Sequence, residues 1–174
     1  MKKPLCFEKV QPDEAARLGR LATNIYAQHY TDLWDDRGRR YMDEAFSLSQ
    51  LRGELQTPSI RYYYVRKADE AVGFIKIILP DDNDRDAGLY LERLYLDSET
   101  TGQGLGQRCL SFAEAEAGRY GFGHIWLKAM TYREDVCRFY RRHGYVERAL
   151  TKLTAPGISA GLENMIIFEK QLGS

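Results

Sequence analysis

Cysteine is scarce in this sequence: only Cys6, Cys109 and Cys137 occur among 174 residues. The three cysteines are odd in number, lie far apart and form no CxxC pair. Such spacing argues against a disulfide framework and against a zinc site, and it favours reduced thiols. We therefore expect no metal site and no fold that depends on disulfides.

An excess of charge of either sign is also missing. Lysine plus arginine and aspartate plus glutamate number 25 each, so the formal net charge is zero. A nucleic-acid partner usually requires a basic surface, and we expect none. No apolar run reaches the ~20 residues of a membrane span, and the first ten residues lack the apolar segment of a signal peptide. We therefore expect a cytoplasmic protein with no membrane partner.

The sequence does contain a globular composition with many tyrosines. Hydrophobic residues make up 44%, charged residues 29% and aromatic residues 12%, which is typical of a folded domain. We expect residues 1–174 to form one domain. The twelve tyrosines either pack in the core or line a pocket that needs hydroxyl groups.

Hydrophobic periodicity predicts a mixed α/β (α+β) fold. Strands are predicted at 5–10, 60–66, 71–79, 89–96, 123–130, 145–153 and 164–172. Helices are predicted at 13–30, at 47–56, at 104–120, and between a capping box at 131–134 and Gly144. The order is strand, two helices, three strands, helix, strand, helix and two strands. The simplest packing is a central mixed, mostly antiparallel sheet with helices on both faces.

Three glycines at alternate positions separate the predicted strand 89–96 from the helix that follows it. They are Gly102, Gly104 and Gly106. Glycine lets the backbone approach a ligand closely, and unpaired N–H groups at the start of a helix point toward a bound anion. The turn therefore predicts a site for a phosphorylated cofactor.

Two motifs carry a family resemblance. The turn reads Thr101-Gly-Gln-Gly104-Leu-Gly106, and segment 136–145 reads VCRFYRRHGY. In this order of elements they resemble the Gln/Arg-x-x-Gly-x-Gly/Ala motif and the A-x-x-F-Y-x-K-x-G-F segment of the GCN5-related N-acetyltransferases (GNAT). The sequence departs from the family at Thr101, where Gln or Arg is usual, and at Arg133, where Asn is frequent.

A closer similarity is to the PaiA-like branch, bacterial acetyltransferases associated with spermidine and spermine. It rests on segments 41–56, 91–96 and 138–145, together with the aromatic strand after the first of them.

The resemblance implies acetyl-CoA as the cofactor. In the family the central strand parts from the next one and its free backbone groups pair with pantetheine, while the glycine turn binds pyrophosphate. The cofactor-binding residues so implied are Leu94, Tyr95, Leu96, Thr101, Gly102, Gln103, Gly104, Leu105, Gly106, Gln107, Arg133 and Tyr140. Arg133 is either a charged contact to the cofactor or a solvated residue in the first turn of a helix.

The resemblance also implies an acid and a base. Tyr140 matches the family's acid, whose hydroxyl lies near the thioester sulfur; the alternative is a core aromatic residue beside Phe139. Glu92 stands where the family often places its base, acting directly or through water; the alternative is an ordinary surface charge. Strand alternation puts Glu92 and Leu94 on one face unless a bulge intervenes.

Segment 29–36 mixes aromatic residues with carboxylates. It is either an ordinary connection around a buried Trp34 or a substrate wall suited to an amine or polyamine. The predicted substrate-binding residues are Tyr30, Trp34, Asp35 and Glu92.

From these observations we expect an N-acetyltransferase that passes an acetyl group from acetyl-CoA to the primary amine of a small molecule. Direct transfer in a ternary complex is expected, with a polyamine as the candidate acceptor. The alternatives are a protein or peptide N-acetyltransferase and a CoA-binding regulatory protein with little turnover. Dimers are frequent in the family, which suggests a homodimer.

Overall fold

The computed structural model describes residues 5–81 and 84–173. Within these ranges seven strands form one sheet: β1 Leu5–Lys9, β2 Ile60–Lys67, β3 Glu70–Ile78, β4 Leu89–Leu96, β5 His124–Met130, β6 Val146–Lys152 and β7 Asn164–Gln171. The same residues contain five α-helices: α1 Ala15–His29, α2 Arg39–Ala45, α3 Leu48–Gln56, α4 Leu105–Arg119 and α5 Glu134–Arg142.

The strands lie in the order β1-β2-β3-β4-β5-β7-β6. Five neighbouring pairs are antiparallel, and the central pair, β4 with β5, is parallel. The predicted mixed, mostly antiparallel sheet is therefore confirmed. The parallel pair requires a crossover connection, and α4 with its preceding turn supplies it.

The sheet has a hydrophobic core on each face. One core joins α4 and α5 to the sheet through residues such as Leu110, Cys137 and Phe168. The other joins α1, α2 and α3 to the opposite face through residues such as Leu18 and Leu51. Helices thus cover both faces, as predicted, because each helix turns its apolar stripe toward the sheet.

The predicted order of elements is wrong at one point, since α2 was not predicted. This seven-residue helix has the sequence RRYMDEA and begins after Gly38, whose φ is +81°. Met42 is its one buried residue. A short, mostly charged segment without apolar periodicity gives little signal for a helix, and its stability comes from packing.

One predicted helix start is confirmed and one is wrong. The Ser47 hydroxyl accepts a hydrogen bond from the Gln50 amide at the start of α3. At α5 the residue before the helix is Arg133, which provides no side-chain cap. The Thr131 hydroxyl, predicted to cap α5, instead donates to the Asn164 carbonyl.

The end of α5 is closed as the sequence predicts. Gly144 has a φ of +86°, its amide donates to the Arg141 carbonyl, and the Tyr145 amide donates to the Tyr140 carbonyl. This pair of bonds is a Schellman motif, and the left-handed backbone it needs favours glycine. No helix among the described residues has the length and apolar composition required to cross a membrane.

Candidate active site

The two central strands part and open a cleft. Strands β4 and β5 pair at Leu89 with Ile125 and at Tyr90 with Trp126. Beyond these pairs β4 continues to Leu96, while β5 pairs with β7 on its other side. The cleft at this separation has a volume of about 850 Å³. Its wall includes the β4 backbone beyond Tyr90. Among the described residues, this part of β4 forms no strand pair on the edge that faces β5.

The glycine turn lies at one end of this cleft. Gly104 precedes α4 with a φ of +73° and offers no capping side chain. Among the described residues, no backbone partner is found for the amides of Gly104, Leu105, Gly106 and Gln107. Unpaired amides at the start of a helix, together with the positive end of its dipole, form a site suited to an anion.

The three glycines of the turn serve two purposes. Gly102 and Gly104 both have φ near +75°, at +77° and +73°, and a Cβ on either would meet no atom within 4 Å. Their backbone conformation, rather than crowding, therefore favours glycine. Gly106 is different, because its Cβ would lie 3.0 Å from Cζ of Phe139. Gly106 thus lets α4 approach α5.

Most of the predicted cofactor-binding residues lie together. The cleft is lined by Leu94, Tyr95, Leu96, Thr101, Gly102, Gly104, Leu105, Gly106, Gln107, Arg133 and Tyr140. Gln103 is not among the described lining residues. Its side-chain oxygen accepts from Lys67 Nζ at 2.5 Å, and its side-chain nitrogen donates to the Glu99 carbonyl. The Thr101 hydroxyl donates to the Ser98 carbonyl and so stabilises the turn.

Tyr140 lies on α5 and lines the cleft, with 8% of its surface exposed. Burial raises the pKa of its hydroxyl, and the nearby Tyr30 hydroxyl raises it further. The Phe139 ring packs beside it with centroids 5.4 Å apart. Tyr140 is therefore both a core aromatic residue and a neutral hydroxyl-bearing group at the cleft.

Glu92 occupies a β-bulge. Lys76 pairs with Arg93 and Ile77 pairs with Leu91, so Glu92 is the extra residue on β4. Leu91 and Leu94 pack in the core on the α4 side, whereas Glu92 contacts Lys76. The placement of Glu92 and Leu94 on one face, expected in the absence of a bulge, is therefore not found.

A partly buried ion-pair network holds Glu92. Lys76 Nζ lies 2.5 Å from Glu92 Oε2 and 3.0 Å from Glu54 Oε2. The Tyr62 hydroxyl donates to Glu54 at 2.5 Å. Arg93 Nε lies 3.8 Å from Glu92. The network was not predicted, because Glu54 and Lys76 meet through packing of α3 on the sheet, a contact with no local sequence signal.

Aromatic side chains also line the cleft. Of the predicted substrate-binding residues, Tyr30, Trp34 and Glu92 line it. Asp35 is not among the described lining residues. Its amide donates to the Gly157 carbonyl at 2.8 Å, which places it against a loop outside the cleft. The proposed contribution of Asp35 to a substrate wall therefore receives no support.

Sequence reasoning missed three further aromatic and basic groups of the cleft. Tyr26, Tyr41 and Arg93 also line the cleft. The sequence pattern marked Tyr26 only as an apolar position of α1, which gave no indication that it lines a cleft. Tyr41 lies on α2, a helix that was not predicted. The Tyr26 hydroxyl accepts from Trp34 Nε1 at 2.9 Å, which fixes the indole beside the cleft.

Arg133 connects α5 to α1. Its guanidinium donates to both carboxylate oxygens of Asp135, at 3.1 and 3.0 Å, and to the His29 carbonyl at 2.9 Å. It also lies 5.3 Å from the centre of the Tyr30 ring. The hydrogen bond to Asp135 raises the pKa of Arg133 and lowers that of Asp135. Arg133 is thus not simply solvated.

His29 continues this connection to the cleft wall. Its Nε2 lies 2.7 Å from the Leu96 carbonyl oxygen, at the end of β4. The imidazole therefore fixes α1 to the strand where the cleft opens. Its role was not predicted, since His29 and Leu96 are 67 residues apart in the chain.

A cleft between parted central strands, closed by an uncapped helix start, agrees with the predicted family. A model of the acetyltransferase (GNAT) family matches residues 22–145. The chain belongs to this family. The predicted family is confirmed, and with it acetyl-CoA as the family's cofactor.

One curated relative is an uncharacterised N-acetyltransferase encoded in the pepI 3′ region of Lactobacillus delbrueckii subsp. lactis. It is 26% identical over 108 residues, which cover 60% of this chain and 62% of the relative. The chain thus spans less than two thirds of the length of this relative.

Two solved structures share the fold over nearly the whole chain. The PaiA N-acetyltransferase from Thermoplasma acidophilum, solved with coenzyme A, has a TM-score of 0.77 at 18% identity and covers 97% of this chain and 99% of its own. A variant of spermidine N-acetyltransferase from Vibrio cholerae has a TM-score of 0.69 at 14% identity and covers 96% and 93%. At these identities the comparison shows a shared fold.

Proposed function

We propose that the protein transfers the acetyl group of acetyl-CoA to the primary amine of a small molecule. The observation that carries the proposal is the open row of amides at the start of α4, in the same cleft as Tyr140. An anion-binding end beside an aromatic, partly enclosed end suits a phosphorylated donor and a small acceptor.

The chain offers a suitable site for the cofactor. The amides of Gly104, Leu105, Gly106 and Gln107 would hold the pyrophosphate, and the unpaired edge of β4 at 94–96 would hold the pantetheine arm by strand addition. Basic side chains on the cleft, Arg142 and Lys152 among them, favour a ligand with several negative charges. Acetyl-CoA supplies the thioester.

Tyr140 is the proposed acid. Because burial favours its neutral form, its hydroxyl keeps a proton available for the leaving thiolate. No covalent intermediate on the protein is required, since holding amine and thioester together already lowers the barrier.

Glu92 is the proposed base, directly or through water. A primary amine has a pKa of about 10.4 and must lose a proton before it can attack. The Glu92 carboxylate lines the cleft but is held by Lys76, so a water between Glu92 and the amine is the arrangement that the ion pair favours.

A polyamine is the more specific candidate, supported by the spermidine enzyme among the structural neighbours. Such a site would depend on free carboxylates. Asp35 lies against Gly157, outside the described lining of the cleft, and Glu92 is paired with Lys76. We therefore restrict the proposal to a small primary amine.

Release of free CoA tests the proposal. Purified protein is mixed with acetyl-CoA, and the thiol is followed with and without each amine of a panel that also includes peptides. We expect release that depends on a small amine, together with its acetylated product. CoA binding without release on any acceptor would favour a regulatory protein, and release with peptides alone would favour a peptide acetyltransferase.

A further inference from the structure

Five aromatic side chains form one wall of the cleft, called here the aromatic wall: Tyr26, Tyr30, Trp34, Tyr41 and Tyr95. Their rings contact one another, with centroids 5.0 Å apart for Trp34 and Tyr41 and 5.6 Å for Tyr30 and Tyr95. Tyr30 also lies close enough to Tyr140 to raise its pKa. The aromatic wall therefore begins beside the proposed acid and extends away from it.

The carboxylates at this wall already have an internal cationic partner. Glu92 shares the buried Lys76 ammonium with Glu54, at 2.5 and 3.0 Å. The same ammonium lies 5.6 Å from the centre of the Tyr62 ring. A carboxylate in close contact with an internal ammonium gains little from a second one, because desolvating that second cation still costs free energy.

Arg93 brings a positive charge to the same place. Its side chain is 11% exposed and lines the cleft. The guanidinium donates to the hydroxyls of Tyr62 and Tyr41 at 3.2 and 3.3 Å, and it lies 5.0 Å from the centre of the Phe46 ring. Its partners are therefore hydroxyls and an aromatic ring, with Glu92 more distant at 3.8 Å.

The two other carboxylates that line the described cleft are also engaged. Asp135 forms a bidentate pair with Arg133, and Asp97 accepts from the Glu99 amide. Further cations lie around the cleft: Arg133 over the Tyr30 ring, and Lys128 5.8 Å from the Tyr90 ring. At Tyr30, a ligand with several ammonium groups would therefore meet an aromatic face that Arg133 already occupies.

We propose that the acceptor is a monoamine carried on a flat aromatic body, and that Arg93 excludes acceptors with a second positive charge. The rings of the wall offer stacking and edge-to-face contacts to such a body. A second ammonium near Arg93 would face a like charge in a poorly solvated site. This inference rests on the proposed function and specifies its substrate class.

The experiment compares kcat/KM for three primary amines: phenylethylamine, hexylamine and spermidine. We expect phenylethylamine to exceed spermidine by about tenfold or more, with hexylamine between them, because one charge clash or one lost aromatic contact corresponds to roughly that factor. Equal values, or a preference for spermidine, would overturn the inference while leaving the proposed function intact. Binding of acetyl-CoA without acetylation of any amine would overturn both.

Two variants test whether Arg93 is the residue that excludes acceptors with a second positive charge. Arg93→Gln should bring spermidine about tenfold closer to phenylethylamine, whereas Arg93→Lys, which keeps the charge, should preserve the difference. An unchanged ratio in folded Arg93→Gln would contradict the assignment. Should both variants fail to fold, the ranking of the three amines with the unaltered protein still decides the substrate class.

Discussion

Lys76 Nζ lies 2.5 Å from Glu92 Oε2, and the contact joins two strands at a β-bulge beside the candidate active site. Lys76 is 3% exposed, and it also contacts Glu54 at 3.0 Å. One buried ammonium thus holds two carboxylates, one on β4 and one on α3. The position of Glu92 in the cleft depends on this contact.

Replacing Lys76 tests how much this contact stabilises the fold. Lys76→Met should lower the free energy of unfolding by about 3 kcal/mol, because removing one partner leaves two partly buried carboxylates without their shared cation. Urea denaturation measures the loss, with the exposed Lys9→Met as the control. Similar stability for the two variants would show that the network contributes little.

The hydroxyl of Tyr140 can be tested by a single-atom change. Tyr140→Phe should lower kcat by about a hundredfold or more with a good amine, the usual contribution of a positioned general acid, and leave acetyl-CoA binding nearly unchanged. Tyr120→Phe, at the end of α4 and outside the described lining of the cleft, is the matched control. An unaltered kcat in Tyr140→Phe would remove this residue from the mechanism.

The raised pKa of Tyr140 also sets the pH profile. A buried tyrosine keeps its proton to a higher pH than an ordinary one, whose pKa is about 10. The acid therefore remains protonated while the amine loses its proton, and kcat/KM should rise with pH up to about 10 without a descending limb. A descending limb near pH 10 that disappears in Tyr140→Phe would contradict the upward shift.

The turn before α4 should be sensitive to the backbone of Gly104. Gly104→Ala places a side chain at a φ of +73°, at a cost of about 1–2 kcal/mol in local strain, and should raise the Kd for CoA. Gly118→Ala lies in the same helix, where an added Cβ meets no atom within 4 Å, and should leave that Kd unchanged. Calorimetric titration with CoA compares the two, and an equal Kd would argue against binding by the turn.

The cysteines should differ in reactivity. Cys6 is exposed, whereas Cys109 and Cys137 are buried in the core. Burial raises the pKa of Cys109 to about 12 and also raises that of Cys137, and the thiolate is the reactive form. Mass spectrometry after native treatment with iodoacetamide should show modification at Cys6 alone. Modification of Cys109 in the folded protein would contradict the packing of α4.

Features with a local signal were predictable from the sequence. The strand Leu89–Leu96, the glycine turn and the helix after it follow from periodicity and from glycine's access to positive φ. The start of α3 at Ser47 followed from a capping pattern. These local features were enough to indicate the fold and the cofactor end of the cleft.

The part of the cleft proposed to bind the acceptor amine was less predictable, because tertiary packing creates it. The bulge at Glu92 depends on the register between β3 and β4. Arg93 meets the hydroxyls of Tyr41 and Tyr62 across distant parts of the chain. The spacing of Asp35 with Trp34 resembled a substrate wall, but packing against Gly157 holds Asp35 elsewhere.

The central claim is that the two ends of the cleft act together on one acetyl group. Its most direct test follows free CoA and acetylated product simultaneously when purified protein receives acetyl-CoA and a small primary amine. We predict that CoA and acetylated amine appear in equal amounts and that omitting the amine abolishes most CoA release. Tight binding of CoA with no acetylated product from any small amine would contradict the account.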